Sequence, residues 1–504
     1  MQIKELLTPG KQSDKLMPKI VLQDTTDHHR IGCEYNLGGA AVVLTTVQAL
    51  TRLIPEAEFI SFIQFSDSFS TRHGIKVVKS KLFSARSFSL WESLKSSLLF
   101  LRCALWAILR KYFHINLSPL VNNEKLKHYR EAAVIIDLSM DHFNDGAGII
   151  PVIELTRDML IGVLLGKPLV IYAQSPGPFT GRLASWVAGL ALNRASLITV
   201  RDEISKGFLD KMAVTRPPVY LTADPAFLLE PASDERVREI LSDLGIDSTK
   251  PLIGIGNTEG ELMGGTTTWR GYKSALRSAY HLLEYCLPER LFLWLTRLLK
   301  GSKYYAGLRS QYSGKAFETI ARIADHLAER MDASVLIVPH FVLPKEQSRG
   351  EEDGAVIAEA IYRLASNKDR VTPVTGKYAA QEIKGLIGQC DLFVSMKMHA
   401  AIAAVSQCIP AVIMRFGPAG PKFHGFMRML GQERWLCEHI STDIDNVLAK
   451  IDDAWVHREE ISKELESRQE ALREKALLNP QLVKEFLDSE SQLGDKPSER
   501  NVSG

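Results

Sequence analysis

The chain lacks most features that would place it in a specialised class of protein. Its six cysteines among 504 residues are scattered, with no CxxC pair and no Cys/His ligand spacing. This argues against a zinc site or a disulfide framework and fits a reducing compartment. The 61 basic and 59 acidic residues nearly cancel, so no overall field favours nucleic acid. We therefore expect neither a metal site nor a nucleic-acid partner.

Long hydrophobic runs are also missing. The N-terminus has no apolar core of a secretory signal. The most hydrophobic stretch, Ser97 to Leu109, contains Arg102 and is shorter than the about 20 residues that a spanning helix needs. These absences predict a cytoplasmic protein with no membrane-spanning helix.

The pattern that is present is an alternation of short β-branched runs with longer helical stretches, which is typical of parallel-sheet α/β domains. Buried strands are predicted at Lys19–Leu22, Ala132–Leu138, Pro168–Gln174, Ser196–Val200, Val219–Thr222, Leu252–Gly256, Val335–Pro339, Val371–Val374, Leu392–Ser395 and Ala411–Arg415. Helices are predicted at Gly39–Leu53, Arg182–Asn193, Asp202–Lys211, Lys315–Arg330, Asp353–Ala365, Ala379–Gly388 and His399–Ser406. The polar segment Pro231–Lys250 is predicted to form a helix and a linker between the two halves.

The length exceeds what one hydrophobic core usually serves, so two domains are expected. We predict an N-terminal Rossmann-like domain at residues 1–230 and a C-terminal one at 251–455, with a ligand in the cleft between them. C-terminal helices are predicted at 456–487, and the polar segment 488–504 is predicted to be a disordered tail.

Two segments interrupt this alternation. Residues 88–113 and 282–304 are rich in Leu, Trp and Phe interleaved with Lys and Arg. One interpretation is a pair of amphipathic helices that seek a membrane surface, giving peripheral membrane contact. The other is ordinary core packing, and the sequence leaves both open.

Polar residues follow several predicted strands. Arg201 and Asp202 follow one and Asp224 another, at the edge where open α/β sheets bind ligands. Structural roles compete with this interpretation, since Asp202 would cap a helix and Asp224 would end a strand. In the second half, Lys397 and His399 fall near the first turn of a helix, where backbone N–H groups favour an anion.

These motifs occur in a recognisable order. QSPGPF, TVRDEIS, LTADPAFLL, VPHF and DLFVSMKMHAAIAA together closely resemble the polysaccharide pyruvyl transferases, over roughly residues 20 to 440. The resemblance implies two domains arranged as in GT-B glycosyltransferases. It also implies transfer of pyruvate from phosphoenolpyruvate to a sugar diol as a ketal. Phosphoenolpyruvate is then a co-substrate, no cofactor is needed, and the acceptor is a glycan or a lipid-linked sugar.

The resemblance also assigns roles to individual residues. It implies that His399 is the general acid, with Asp141, His142 or His340 as the base. The residues assigned to the donor are Arg201, Lys397, His340 and Ser395. The residues assigned to the acceptor are Asn36, Gly38 and Gly39. The family usually has arginine at the position of Lys397 and aspartate at that of Gly39, and the Ser139–Phe143 segment lacks the family's glycines.

Two other functions are compatible with the same residues. A GT-B glycosyltransferase that uses a nucleotide-sugar would share the fold and the anion site at a helix N-terminus. A non-catalytic relative that binds glycan or partner proteins is the second alternative, and the departures at Gly39 and Lys397 keep it open.

Overall fold

The computed structural model describes residues 17–23, 33–78, 90–146, 148–247, 249–256, 303–343, 353–416, 420–440 and 443–494. Within them the chain forms two parallel sheets flanked by helices, so the predicted fold class is confirmed. The segment 282–304, which interrupts the strand–helix alternation, lies almost entirely outside the described residues.

The first sheet has seven parallel strands in the order β3-β2-β1-β4-β5-β6-β7. Its strands are β1 Lys19–Gln23, β2 Glu58–Ser61, β3 Ile75–Val77, β4 Val134–Asp137, β5 Leu169–Gln174, β6 Leu197–Val200 and β7 Val219–Leu221. The central strands are apolar on both faces because helices cover both. The helices described in this half, including the linker helix α8, are α1 Leu37–Leu53, α2 Asp67–Arg72, α3 Leu90–Phe113, α4 Glu124–Glu131, α5 Ile149–Leu164, α6 Arg182–Leu192, α7 Glu203–Lys211 and α8 Asp234–Asp243.

The second sheet has six parallel strands in the order β10-β9-β8-β11-β12-β13. Its strands are β8 Leu252–Gly256, β9 Ser334–Val338, β10 Val371–Pro373, β11 Leu392–Ser395, β12 Ala411–Met414 and β13 Leu436–Cys437. The helices described in this half are α9 Lys303–Arg330, α10 Gly354–Leu364, α11 Ala380–Ile387, α12 Met398–Val405, α13 Pro421–Leu430, α14 Ile444–Val456 and α15 Arg458–Gly494. One continuous apolar core includes residues of both halves, and a second core lies on the other face of the first sheet.

The last helix returns to the first sheet. Asn479 on α15 is fully buried, accepts a hydrogen bond from Thr222 Oγ1 at 2.8 Å and donates one to the backbone oxygen of Ala223 at 2.9 Å. Both partners follow β7. The end of the chain is therefore tied to its first half.

The prediction of a disordered tail from residue 488 is wrong for its first part. Helix α15 continues as far as Gly494, beyond Asp488. Asp488 pairs with Lys484 one turn earlier, and Ser489 and Ser491 donate hydrogen bonds to the backbone one turn back. An ion pair between residues four apart supports a helix through such a polar segment. Residues 495–504 lie outside the described part of the chain.

Candidate active site

Polar side chains gather where the carboxyl edges of the two sheets face each other. In the first half, Arg201 follows β6 and Asp224 comes shortly after β7. In the second, His340 follows β9, and His399 lies in the first turn of α12, after β11. All four side chains are buried or nearly so. This is the edge at which open α/β sheets bind ligands.

Arg201 is almost completely buried and makes its contacts within the first half. Its Nε donates to Ser175 Oγ at 2.8 Å, and its Nη1 pairs with the Asp224 carboxylate. Its Nη2 lies 3.8 Å from Asp141 Oδ1 and has no hydrogen-bond partner among the described residues. A buried donor left unpaired is costly, so Nη2 marks a place for an acceptor supplied by a ligand.

Asp224 links this arginine to the histidine of the other half. Its Oδ2 lies 3.6 Å from His399 Nε2, and its Oδ1 accepts the N–H of Ala226 at 2.9 Å. Burial alone would raise the pKa of the Asp224 carboxyl, but Arg201 and then His399 outweigh burial and hold that pKa well below its usual range. Asp224 is therefore an anion that orients His399. The position of Asp224 after a strand predicts a structural role, and its contact with His399 adds the role of orienting that ring.

His340 is buried beside His399. Their rings are parallel, with centroids 6.3 Å apart, and both ring nitrogens of His340 lack a hydrogen-bond partner among the described residues. Burial, followed by the nearby Lys397 and His399, lowers the pKa of His340 well below its usual value. His340 is thus a neutral imidazole at the site, with nitrogens available to a ligand.

The predicted acceptor residues form the start of α1 and lie against the two histidines. Asn36 caps α1 by accepting the Gly39 N–H at 3.3 Å and forms an isolated bridge with Phe341 in the other half. Gly38 lies so close to His399 that an added Cβ would be 2.4 Å from His399 Nδ1. The structure therefore places Asn36 and Gly38 at the seam between the halves. An added Cβ on Gly39 would point elsewhere, 3.0 Å from Cys33 Sγ.

The predicted bases Asp141 and His142 have different surroundings. Asp141 forms an ion pair with Lys422 of α13, across the seam. Burial would raise the pKa of Asp141, but Lys422, His142 and Arg201 outweigh it, and the resulting pKa is well below the usual range. A carboxylate held this way is a weak proton acceptor. His142 is exposed, and its Nδ1 lies 3.2 Å from the backbone oxygen of Ser139.

Ser395 and Lys397 form the turn that leads into α12. Ser395 Oγ donates to the Lys397 backbone oxygen at 2.8 Å and lies 3.1 Å from the Lys397 backbone nitrogen, from which it accepts. Arg415, after β12, donates to the backbone oxygen of Met396 at 3.0 Å and stacks 4.2 Å from the Phe423 ring. Burial lowers the pKa of Arg415 to about 10, and Asp141 partly offsets this. Arg415 therefore supports the loop that carries Lys397.

Sequence reasoning did not identify Arg415 or Lys422 as site residues. Each comes from the second half and approaches Asp141 of the first. A lysine in the first turn of α13 gives no local signal of this contact. It arises because α13 lies against α7, so closely that a Cβ on Gly425 would be 2.8 Å from the Cβ of Asp202.

The arrangement is suited to an anion with a titratable group beside it. Helices α1 and α12 begin on opposite sides of the seam, and their first turns meet at Gly38 and His399. Helix N-termini favour negative charge, and Arg201 and Lys397 add cations. Within the described residues, no group of three or more His, Cys, Asp or Glu side chains could hold a metal ion. No helix in the described part of the chain is long and apolar enough to cross a membrane.

Two solved structures illustrate the fold that this chain shares with known proteins. One is HepE from Anabaena, crystallised with UDP, with 15% identity, a TM-score of 0.51, and coverage of 94% of this chain and all of that one. Another is a putative UDP-N-acetylglucosamine 2-epimerase from Listeria monocytogenes, with 12% identity, a TM-score of 0.51, and coverage of 96% of this chain and all of that one. At these identities the likeness shows the fold alone, which is the predicted GT-B-like arrangement.

Sequence comparison is more specific. The amylovoran biosynthesis protein AmsJ of Erwinia amylovora is 19% identical over 334 residues, which cover 66% of this chain and 67% of AmsJ. The profile of the polysaccharide pyruvyl transferases matches residues 36–416, from the cap of α1 to the residue after Arg415. That match includes both sheets except for β1 and β13, the first and last strands along the chain. The chain belongs to the polysaccharide pyruvyl transferase family.

Proposed function

We propose that the protein transfers a pyruvyl group from phosphoenolpyruvate onto two hydroxyls of a sugar, forming a ketal and releasing phosphate. The acceptor in this proposal is a surface polysaccharide or its lipid-linked precursor. Family membership supports a transferase that modifies polysaccharide. The observation that carries the proposal is the buried Arg201 Nη2, which has no hydrogen-bond partner among the described residues. Arg201 is linked through Asp224 to His399, at the point where the N-termini of α1 and α12 meet.

The donor carries a phosphate and a carboxylate, and the site offers several groups for them. Arg201 Nη2 would donate one charge-assisted hydrogen bond, and Lys397 would add a compact positive charge. The positive ends of the α1 and α12 helix dipoles would complete the anion site. The neutral ring of His340 would donate one hydrogen bond from one nitrogen and accept one at the other.

His399 would carry the proton transfers. It gives a proton to the methylene carbon of phosphoenolpyruvate while one sugar hydroxyl adds to the neighbouring carbon and returns its proton to the ring. The C–O bond between this carbon and the phosphate then breaks. The second sugar hydroxyl adds to the same carbon, and its proton leaves with the phosphate. Donor plus diol thus gives ketal plus inorganic phosphate. Asp224 is the counter-ion and orienting partner of the ring during these steps.

The test is to incubate the purified protein with phosphoenolpyruvate and a panel of candidate glycans. We expect phosphate release that depends on the glycan, and a product heavier than the acceptor by one pyruvate less one water. Replacing His399 by Ala should lower turnover by about 10² to 10⁴, which is the usual contribution of a general acid–base group. His457→Ala is the matched control, since His457 is partly exposed at the end of α14 and its side chain pairs with Asp453, far from the site.

Other outcomes would assign a different function. Release of nucleotide from a nucleotide-sugar, with no consumption of phosphoenolpyruvate, would make the protein a glycosyltransferase. Glycan binding that survives His399→Ala, with no turnover of any donor, would favour a non-catalytic relative. Full turnover in His399→Ala would remove His399 from the mechanism.

A further inference from the structure

Helix α3 is apolar on two opposite faces. Its inward face buries Leu99, Cys103 and Trp106 against α5 and the turn at Ser118–Val121. Its outward side chains recur at intervals of four and three residues, which keeps them on one stripe of a helix. This outer stripe consists of Leu94, Leu98, Leu101, Leu105, Ile108 and Tyr112, which are 45% to 67% exposed. The inward face determines how the helix packs, and among the described residues no element covers the outer stripe.

The exposed apolar surface is larger than one helix. Single exposed leucines are ordinary on a soluble protein, but a continuous patch marks an interaction site. Helix α3 packs beside α5, and α5 packs beside α6, on the same face of the first sheet. Exposed apolar side chains continue across this layer at Ile153 of α5 and at Leu183 and Trp186 of α6. The helical layer thus presents one broad apolar surface.

The charges beside the stripe have one sign. Among the described side chains of α3, residues 94–113, the charged ones are Lys95, Arg102, Arg110 and Lys111, and all are basic. Arg110 lies 5.1 Å from the centre of the Trp106 ring. Helix α6 adds Arg182 at its exposed start. A basic helix with a full apolar stripe complements an anionic lipid surface.

A second copy of this chain is the other occupant that such a stripe would suit, because spacings of four and three are those of a coiled-coil seam. The flanking positions argue against that partner. Lys95, Arg102 and Lys111 flank the outer stripe of α3. Two copies of α3 packed stripe to stripe would therefore bring positive charges together whether the helices ran parallel or antiparallel. Charge therefore favours lipid over self-association.

The position of the surface relates it to the site. Helices α5 and α6 follow β4 and β5, so their first turns lie at the carboxyl edge of the first sheet, where Arg201 and Asp224 lie. Leu183 is in the first turn of α6, and Ile153 and Trp186 begin the second turns of α5 and α6. Aromatic side chains such as Trp186 and Tyr112 favour the boundary between water and lipid.

We propose that the outer face of α3, with the exposed starts of α5 and α6, docks this protein on an anionic lipid bilayer. The helix lies parallel to the membrane without crossing it. Leu98, Leu101 and Leu105 enter the headgroup boundary, and the basic residues beside them contact lipid phosphates. The site edge of the first sheet is then held near the lipid surface. The docking rests on this surface alone and does not depend on which donor the enzyme uses.

The experiment is flotation of the full chain with vesicles of phosphatidylcholine alone and vesicles that also contain phosphatidylglycerol. Wild type should float with the anionic vesicles and be released by salt. Each basic residue near an anionic surface is worth about five-fold in partitioning, so Arg110→Glu/Lys111→Glu should weaken binding by at least about 25-fold. Leu101→Glu/Leu105→Glu should abolish it, and because both leucines are exposed this variant should fold.

Matched controls carry the same changes on another surface. Val456→Glu replaces a 72% exposed apolar residue of α14, and Lys463→Glu reverses an exposed charge on α15. Both should float like wild type. The proposal is overturned if wild type binds no anionic vesicles at low salt, or if the stripe variant floats as wild type does. A wild-type dimer in sedimentation equilibrium that Leu101→Glu/Leu105→Glu dissociates would overturn it in favour of self-association.

Discussion

The buried charges of the site stabilise one another. Arg201 and Asp224 are each about 3% exposed at the side chain and form an ion pair, and His399 lies at the other side of Asp224. A buried pair of this kind is weak evidence for net stability, but removing one partner leaves an uncompensated charge. The same contacts that orient His399 therefore make Asp224 a residue on which the folded state depends.

Replacing Asp224 by Asn should destabilise the protein in a pH-dependent way. Breaking a buried ion pair costs about 3–5 kcal/mol at neutral pH. The folded pKa of Asp224 is lowered, so its stabilisation is present above its unfolded pKa of about 3.9 and is lost as pH falls towards the folded value. The difference in unfolding free energy between wild type and Asp224→Asn should thus narrow below about pH 4.

Urea unfolding curves between about pH 7 and pH 3 measure this difference. The matched control is Asp210→Asn, an exposed carboxylate paired with Lys206 one turn earlier, which should change stability little at any pH. A deficit in Asp224→Asn that stays constant across this range would show that the Asp224 charge is not what stabilises the fold.

At the scale of elements, most of the strands that the sequence predicted are buried, and only β7 and β10 among them are partly exposed edge strands. The predicted Leu252–Gly256 and Leu392–Ser395 match β8 and β11 to the residue. The strands that were missed are short and lie towards sheet edges, namely β2, β3 and β13. Length alone does not explain these misses, since β7, β10 and β11 are equally short and were predicted, and what the missed strands share is that their pairing depends on distant partners.

The residues of the candidate site also fall into those that the sequence predicted and those that it did not. Arg201 and His399 were identified because they belong to motifs and stand at strand or helix ends. Arg415, Lys422 and the contact of Asp224 with His399 were not predicted, since each depends on how the two halves pack. No local pattern reports a contact between residues far apart in sequence.

The meeting of α1 and α12 gives a test at the element scale. Gly38→Ala would place a Cβ 2.4 Å from His399 Nδ1, so the ring or α1 must move. We expect a loss of turnover of about 10²-fold or more, because an ångström of misplacement at a catalytic group has effects of this size. Steady-state kinetics with the donor and a glycan acceptor measures it.

Gly189→Ala is the matched control on α6. An added Cβ there has nothing within 4 Å, and alanine in a helix interior is more stable than glycine by about 0.5–1 kcal/mol. It should keep full activity and unfold at the same or a slightly higher temperature. If Gly38→Ala were as active as Gly189→Ala, the close contact with His399 would have no part in catalysis.

At the scale of the whole molecule, the site exists only where the two halves meet. Asn36 bridges to Phe341, Lys422 pairs with Asp141, and α15 returns to the end of β7. These contacts hold the carboxyl edges of both sheets together around a few polar atoms that have no hydrogen-bond partner in the described part of the chain. The central claim is that one of these atoms, Arg201 Nη2, donates a hydrogen bond to the phosphate or carboxylate of phosphoenolpyruvate.

Calorimetric titration of phosphoenolpyruvate into wild type, Arg201→Ala and Arg201→Lys tests that claim most directly, with thermal unfolding to confirm that each variant is folded. A hydrogen bond to a charged group is worth about 1.5–3 kcal/mol, so Arg201→Ala should weaken binding by about ten- to a hundred-fold. The affinity of Arg201→Lys for phosphoenolpyruvate should lie between those of wild type and Arg201→Ala, since an ammonium restores the charge without the planar set of donors. Equal affinity in wild type and a folded Arg201→Ala would contradict the account.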